Sequence, residues 1–139
     1  MNTYTMTFVV SPDFKRVLLL RKTATHHNPL FRDRWTAPGG KLELNETPWD
    51  GAARELKEET NMDLRGVLRR VLDFPCNCDP LEDEHDVIVY GIVQTLDLSM
   101  VAGGDEPVDI FPVQFLPSDL VWCTQPLLAL TLERLKQPI

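Results

Sequence analysis

The sequence predicts an α/β fold, a single domain over residues 1–139 in which a mixed β-sheet lies between two helices as a three-layer α/β/α sandwich. Three observations point there. Apolar runs rich in β-branched residues recur along the chain with partial alternation, as strands require. Two helical segments stand among them, one central and one terminal. The length of 139 residues and an ordinary apolar content of 43% suit one good core.

Residues 3–10 (TYTMTFVV) and 16–22 (RVLLLRK) read as strands joined by the turn SPDF, an opening hairpin. Residues 23–33 (TATHHNPLFRD) are polar and irregular, a loop of the kind that borders a pocket. RWTAPGG (34–40) is a short strand entering a Gly-Gly turn. The central helix follows, and after it residues 65–74, 86–96 and 108–116 are again β-rich. Between the first two of these, the acidic stretch PCNCDPLEDEH (75–85) reads as an exposed loop. Residues 125–136 (QPLLALTLERLK) form an amphipathic closing helix with Pro126 near its start. Neither a repeat nor a low-complexity segment is visible.

The central helix carries the chemistry. Thr47 is a good N-cap, Pro48 fits the first helical position, and Asn61 can take the left-handed conformation that ends a helix. At about 100° per residue, Trp49, Ala52, Ala53, Leu56 and Thr60 share a core-facing stripe. Glu55, Glu58 and Glu59 form a second stripe beside it. That stripe is locally unfavourable: like charges one turn apart cost about 0.2–0.5 kcal/mol each. Anions in the last turn oppose the helix dipole by a further ~0.3–1 kcal/mol. Arg54, four residues before Glu58, offsets one of these terms. Carboxylates one turn apart can share a hard dication such as Mg²⁺, which prefers oxygen ligands and leaves room for a phosphate.

The rest of the chain narrows the partners. A net charge of −7 argues against a nucleic-acid polymer, whose binding needs a cationic footprint. It leaves open a small phosphorylated ligand whose charge a metal neutralises. No run approaches the ~18 apolar residues that span a bilayer, and MNTYTMTFVV lacks the basic start of a signal peptide. Three cysteines, Cys76, Cys78 and Cys123, are too few for a disulfide framework and suit a reducing cytoplasm. Cys76, Cys78 and His85 fall short of the four N/S ligands of a structural zinc site. His26 and His27 read as a loop pair.

Gly40, five residues, Glu46, seven residues, then Arg54-Glu55-Leu56-Lys57-Glu58-Glu59-Thr60-Asn61-Met62 resembles the Nudix box, G-x5-E-x7-R-E-U-x-E-E-x-G-U. Every fixed position matches except Asn61, which stands where the family has glycine; asparagine is the next-best residue for a left-handed turn. The box spans 23 of 139 residues, and the flanks are similar to MutT-type nucleoside triphosphatases. The resemblance implies the Nudix α/β/α sandwich and water attack on a nucleoside diphosphate derivative.

It also implies roles. Glu55, Glu58 and Glu59 are the metal ligands, Glu55 a candidate base, and Gly40 a carbonyl ligand. Glu46 pairs with Arg54 and orients the loop, while Glu43 points the same way. Lys41, and Arg21 or Lys22 at the end of the second strand, are cations for phosphate. Glu106, with Asp105 next to it, is the further carboxylate from a later loop. In the oxidised-purine enzymes of the family an aromatic ring aligns with Trp122, and an acidic pair with Thr124 and Gln125. Stacking on Trp122 without that pair implies broad nucleotide binding with little preference for 8-oxo-guanine.

The expected reaction is Mg²⁺-dependent cleavage of a nucleoside triphosphate to monophosphate and pyrophosphate, with Mn²⁺ able to substitute. A nucleotide sugar, a dinucleotide or a non-nucleotide polyphosphate is the alternative substrate. An ADP-ribose-type enzyme is expected to carry an N-terminal extension, and a transcription factor an added DNA-binding module. A binding module without catalysis is expected to have lost box glutamates, and none is lost here. The base, the sugar and the oligomeric state stay open.

Overall fold

A computed structural model describes residues 2–77, 84–97 and 106–138. The elements in chain order are β1 (Thr3–Val10), β2 (Arg16–Arg21), β3 (Trp35–Thr36), β4 (Gly39–Lys41), α1 (Pro48–Thr60), β5 (Arg69–Cys76), β6 (His85–Val93), β7 (Val108–Pro112) and α2 (Thr124–Lys136). The strands form one mixed sheet in the order β3-β2-β1-β6-β5, with β4 added on β1 and β7 on β2. β1 and β6 run parallel from Thr3 opposite Asp86 to Val10 opposite Val93, and every other pair is antiparallel.

Alternation along β1 and β2 sends side chains to two cores. Phe8, Val10, Val17 and Leu19 pack with Leu127, Leu128 and Leu135 of α2. Val9 and Leu18 pack with Ala52 and Leu56 of α1. A strand covered by a helix on each face loses the polar alternation of an exposed strand. Hence Val17, Leu18, Leu19 and Leu20 are all 0% exposed. This is the sandwich that the sequence predicts.

Several boundaries differ from the sequence reading, each for a local reason. Residues 34–40 are two strands, because Ala37 and Pro38 step between them and the Pro38 carbonyl accepts from the Thr7 N–H at 2.8 Å. The run 65–74 joins the sheet only at Arg69, because the Arg65 N–H donates to the Gln94 side chain at 2.8 Å. The run 108–116 stops at Pro112, whose carbonyl accepts from the Phe115 N–H in a turn at 3.0 Å. Residues 78–83 of the acidic loop lie outside the described residues, Cys78 among them.

The core stripe of α1 also differs. Gly51, Ala52, Leu56 and Thr60 are buried, whereas Trp49 is 48% exposed and Ala53 half-buried. Trp49 lies in the first turn, and Gly51 takes the close contact instead: a Cβ there would sit 2.2 Å from Leu42 Cδ2. Among the described residues, no helix is long and apolar enough to cross a membrane.

Candidate active site

The carboxylate stripe is positioned by a well-terminated helix. Thr47 Oγ1 accepts from the Asp50 N–H at 3.2 Å, and Asn61 takes φ 60° with its N–H on the Lys57 carbonyl. Asparagine therefore performs the left-handed turn expected at that position.

Arg54 ties the stripe to the preceding loop. Its Nε and Nη2 donate to the two Glu46 oxygens at 2.7 and 2.9 Å, a bidentate pair. Its Nη1 reaches Glu55 at 3.0 Å and Glu58 at 3.2 Å, and Nη2 also donates to the Lys41 carbonyl at 3.2 Å. Glu43 stands 3.7 Å away and largely exposed. Hydrogen bonding to Arg54 pulls the Glu46 carboxyl down to about 2. The same bond to Glu46 raises the Arg54 guanidinium further above its ordinary range.

Glu55 and Glu59 turn inward, with side chains 15% and 13% exposed, while Glu58 stays at the rim at 58%. Glu55 rests on Gly40, where a Cβ would lie 2.6 Å from its Oε1, so a side chain at this position would push the carboxylate aside. Burial raises the Glu55 carboxyl, with Arg54 opposing the shift. Glu59 Oε1 accepts from the Gly39 N–H at 2.8 Å, and its Oε2 lies 3.6 Å from Lys22 Nζ. Burial pushes Glu59 up to about 7, against the pull of Lys22 and Gly39. Lys22 also stands 3.7 Å from Glu106, which brings the later loop to the same place.

Among the described residues, the other expected cations form no ion pair with the α1 glutamates. Arg21 points away from Lys22, as neighbours on a strand do, and pairs loosely with Asp33 at 3.9 Å and Asp119 at 4.0 Å. Lys41 is exposed, with only its backbone carbonyl tied to Arg54. Asp105 lies outside the described residues.

Beside Lys22, Gly39 and Gly40 opens a cavity of about 140 Å³ whose walls include His26, Asn28, Phe31, Thr36 and Trp122. Trp122 is 57% exposed and forms wall, not core. Thr124 is fully buried and donates to the Thr36 hydroxyl at 3.1 Å. Gln125 lines a different cavity, together with Phe115 and Pro126. The two residues part because α2 begins at Thr124, where the chain turns through a helical step. No aspartate or glutamate borders the Trp122 cavity among the described residues.

The loop residues His26, Asn28 and Phe31 were not singled out as a site by the sequence. The signal was the dipeptide Asn28-Pro29, a turn former: the Phe31 N–H donates to the Asn28 carbonyl at 3.0 Å.

The donor set fits a hard dication. It is all oxygen, two carboxylates are desolvated, and glycine backbone lies against them. Among the described residues, no three His, Cys, Asp or Glu side chains already converge on one point. Arg54 and Lys22 hold the carboxylates apart as their counter-ions.

The description "NUDIX domain" belongs to the family model that matches residues 1–130. The chain belongs to the NUDIX family. Within the family's relatives, the m7GpppN-mRNA hydrolase NUDT17 of Xenopus laevis is 33% identical over 87 residues, 58% of this chain and 29% of that protein. Diphosphoinositol polyphosphate phosphohydrolase 3-alpha of Homo sapiens is 39% identical over 66 residues, 47% of this chain and 37% of that protein. The match spans about a third of the length of these curated relatives. The crystal structure of the MutT protein from Methanosarcina mazei Go1 superposes with a TM-score of 0.74 at 18% identity, covering 98% of this chain and 96% of that one. That likeness confirms the Nudix sandwich as the fold.

Proposed function

We propose that this chain is a divalent-cation-dependent hydrolase that cleaves a nucleoside triphosphate to the monophosphate and pyrophosphate. The observation that carries the reading is an adjacency. Lys22, Gly39 and Gly40 border both the buried glutamates of α1 and the cavity walled by Trp122. A nucleobase against Trp122 thus leaves its phosphates beside Glu55 and Glu59.

Mg²⁺, or Mn²⁺ in its place, would supply charge neutralisation for the phosphates and make a water more acidic. Glu55, Glu58, Glu59 and Glu106 are the residues to hold it, with the Gly40 carbonyl. Lys22 meets a phosphate oxygen as a point charge, and Arg54 keeps Glu55 oriented through its grip on Glu46. A buried carboxylate with a raised proton affinity, Glu55 or Glu59, accepts the proton of the attacking water.

An inositol polyphosphate is disfavoured by the same cavity. Several phosphates on a small ring need a cluster of cations, and Lys22 is the one lysine or arginine among the described lining residues. The experiment is a panel of nucleoside triphosphates, a nucleotide sugar and a dinucleotide with Mg²⁺, products resolved by ion exchange. Monophosphate with pyrophosphate from the triphosphates is the expected result. Turnover confined to the diphosphate conjugates would reverse the assignment.

A further inference from the structure

The cavity beside Trp122 is furnished with hydrogen-bond donors, and several of them are held in place by their neighbours. Asn28 is 3% exposed and lines the cavity. Its Oδ1 accepts from the Leu30 N–H at 3.0 Å, which fixes the orientation of the side-chain amide. The NH₂ group is therefore the end left over, and no described residue accepts from it. The backbone of Asn28 is held as firmly, since its carbonyl accepts from Phe31 in the Asn-Pro turn.

Two neighbours repeat the pattern. The Asn28 N–H donates to His26 Nδ1 at 3.0 Å, which makes Nδ1 an acceptor and places the ring proton on Nε2. The His26 ring is fixed in a stack between His27, with centroids 4.3 Å apart, and Phe31, at 5.3 Å. Thr36, also in the lining, receives the Thr124 proton at 3.1 Å, so its own hydroxyl proton is directed elsewhere. Asn28, Thr36 and His26 thus bring an amide, a hydroxyl and an imidazole N–H to the lining beside Lys22 and the buried Thr5 hydroxyl, and no carboxylate lines the cavity among the described residues.

We propose that Asn28 is a specificity-determining residue of this cavity, selecting a planar heterocycle that presents a ring carbonyl oxygen over one that presents an amino group. This rests on the nucleotide reading given above and refines it to an oxo-bearing base. A carbonyl oxygen gives the left-over Asn28 NH₂ an acceptor, whereas an exocyclic amine leaves donor facing donor there.

The test compares inosine and adenosine triphosphates, which differ at the 6-oxo and 6-amino position, with Mg²⁺. The chain is expected to favour the inosine nucleotide in kcat/KM by about tenfold, the scale of one neutral hydrogen bond. Asn28→Asp keeps an oxygen for the Leu30 N–H but replaces the NH₂ donors by an acceptor. In that variant the ratio should fall to within about threefold of unity, through KM more than kcat. Thr36→Val, which removes a second lining hydroxyl at nearly constant shape, should narrow the ratio by a smaller factor.

The same comparison with the two monophosphates, read as quenching of tryptophan fluorescence without divalent cation, needs no turnover. If neither triphosphate is cleaved but inosine monophosphate still binds tighter and Asn28→Asp removes the difference, the hydrolase reading fails and the base preference stands. A wild-type ratio near unity in binding and turnover would overturn the proposal. So would a ratio that both variants leave unchanged.

Discussion

Glu59 is the residue on which burial and charge disagree most. Its folded-state pKa of about 7 lies above the ordinary 4.5. Between those values the metal-free folded chain holds a proton that the unfolded chain has released, so stability falls as pH rises through that window. The difference amounts to roughly 3 kcal/mol at most. Chelated wild-type protein is expected to melt lower at pH 8 than at pH 5, while Glu59→Gln, which cannot ionise, should lose little of its stability over the same span. Equal pH dependence in the two proteins would show that Lys22 and Gly39 offset the burial of this carboxylate completely. The helix that carries Glu59 was legible in the sequence because its caps and its charges are local. Which glutamates turn inward was not, since that depends on Gly40 admitting Glu55 and on Lys22 reaching Glu59 from a strand distant in sequence.

At the scale of elements, the sequence recovered the strands and helices and lost their edges. A side chain, Gln94, decides where β5 begins, and Pro38 divides β3 from β4; neither effect has a periodicity to read. The same holds for α1, where helical geometry puts Trp49 and Leu56 in one stripe but Trp49, in the first turn, is 48% exposed. Two substitutions separate these readings. Leu56→Ala is expected to destabilise by about 2–5 kcal/mol, because Leu56 is 0% exposed between α1 and the sheet. Trp49→Ala should lie within about 1 kcal/mol of wild type, as substitutions outside the core do. Urea denaturation of both variants decides the matter, and a Trp49→Ala loss as large as that of Leu56→Ala would restore Trp49 to the core.

For the molecule as a whole, the sheet brings two regions together that lie far apart in sequence. One is the acidic face of α1 on the Gly39–Gly40 approach; the other is a cavity built from the loop after β2 and the residues before α2. The first was visible in the sequence as the Nudix box. The second was visible only as Trp122 and as the polar loop 23–33 of a kind that borders a pocket, because its remaining walls come from residues without a shared motif, and because Thr124 and Gln125 diverge at a helix start. The central claim is that the α1 glutamates hold the divalent cation. It is tested most directly by Mn²⁺ binding, followed by electron paramagnetic resonance, in wild type, Glu55→Gln and Glu59→Gln. The expected result is weaker binding in each variant by about tenfold or more, ~1.4 kcal/mol, with folded structure retained by circular dichroism. Unchanged Mn²⁺ affinity in both folded variants would contradict it.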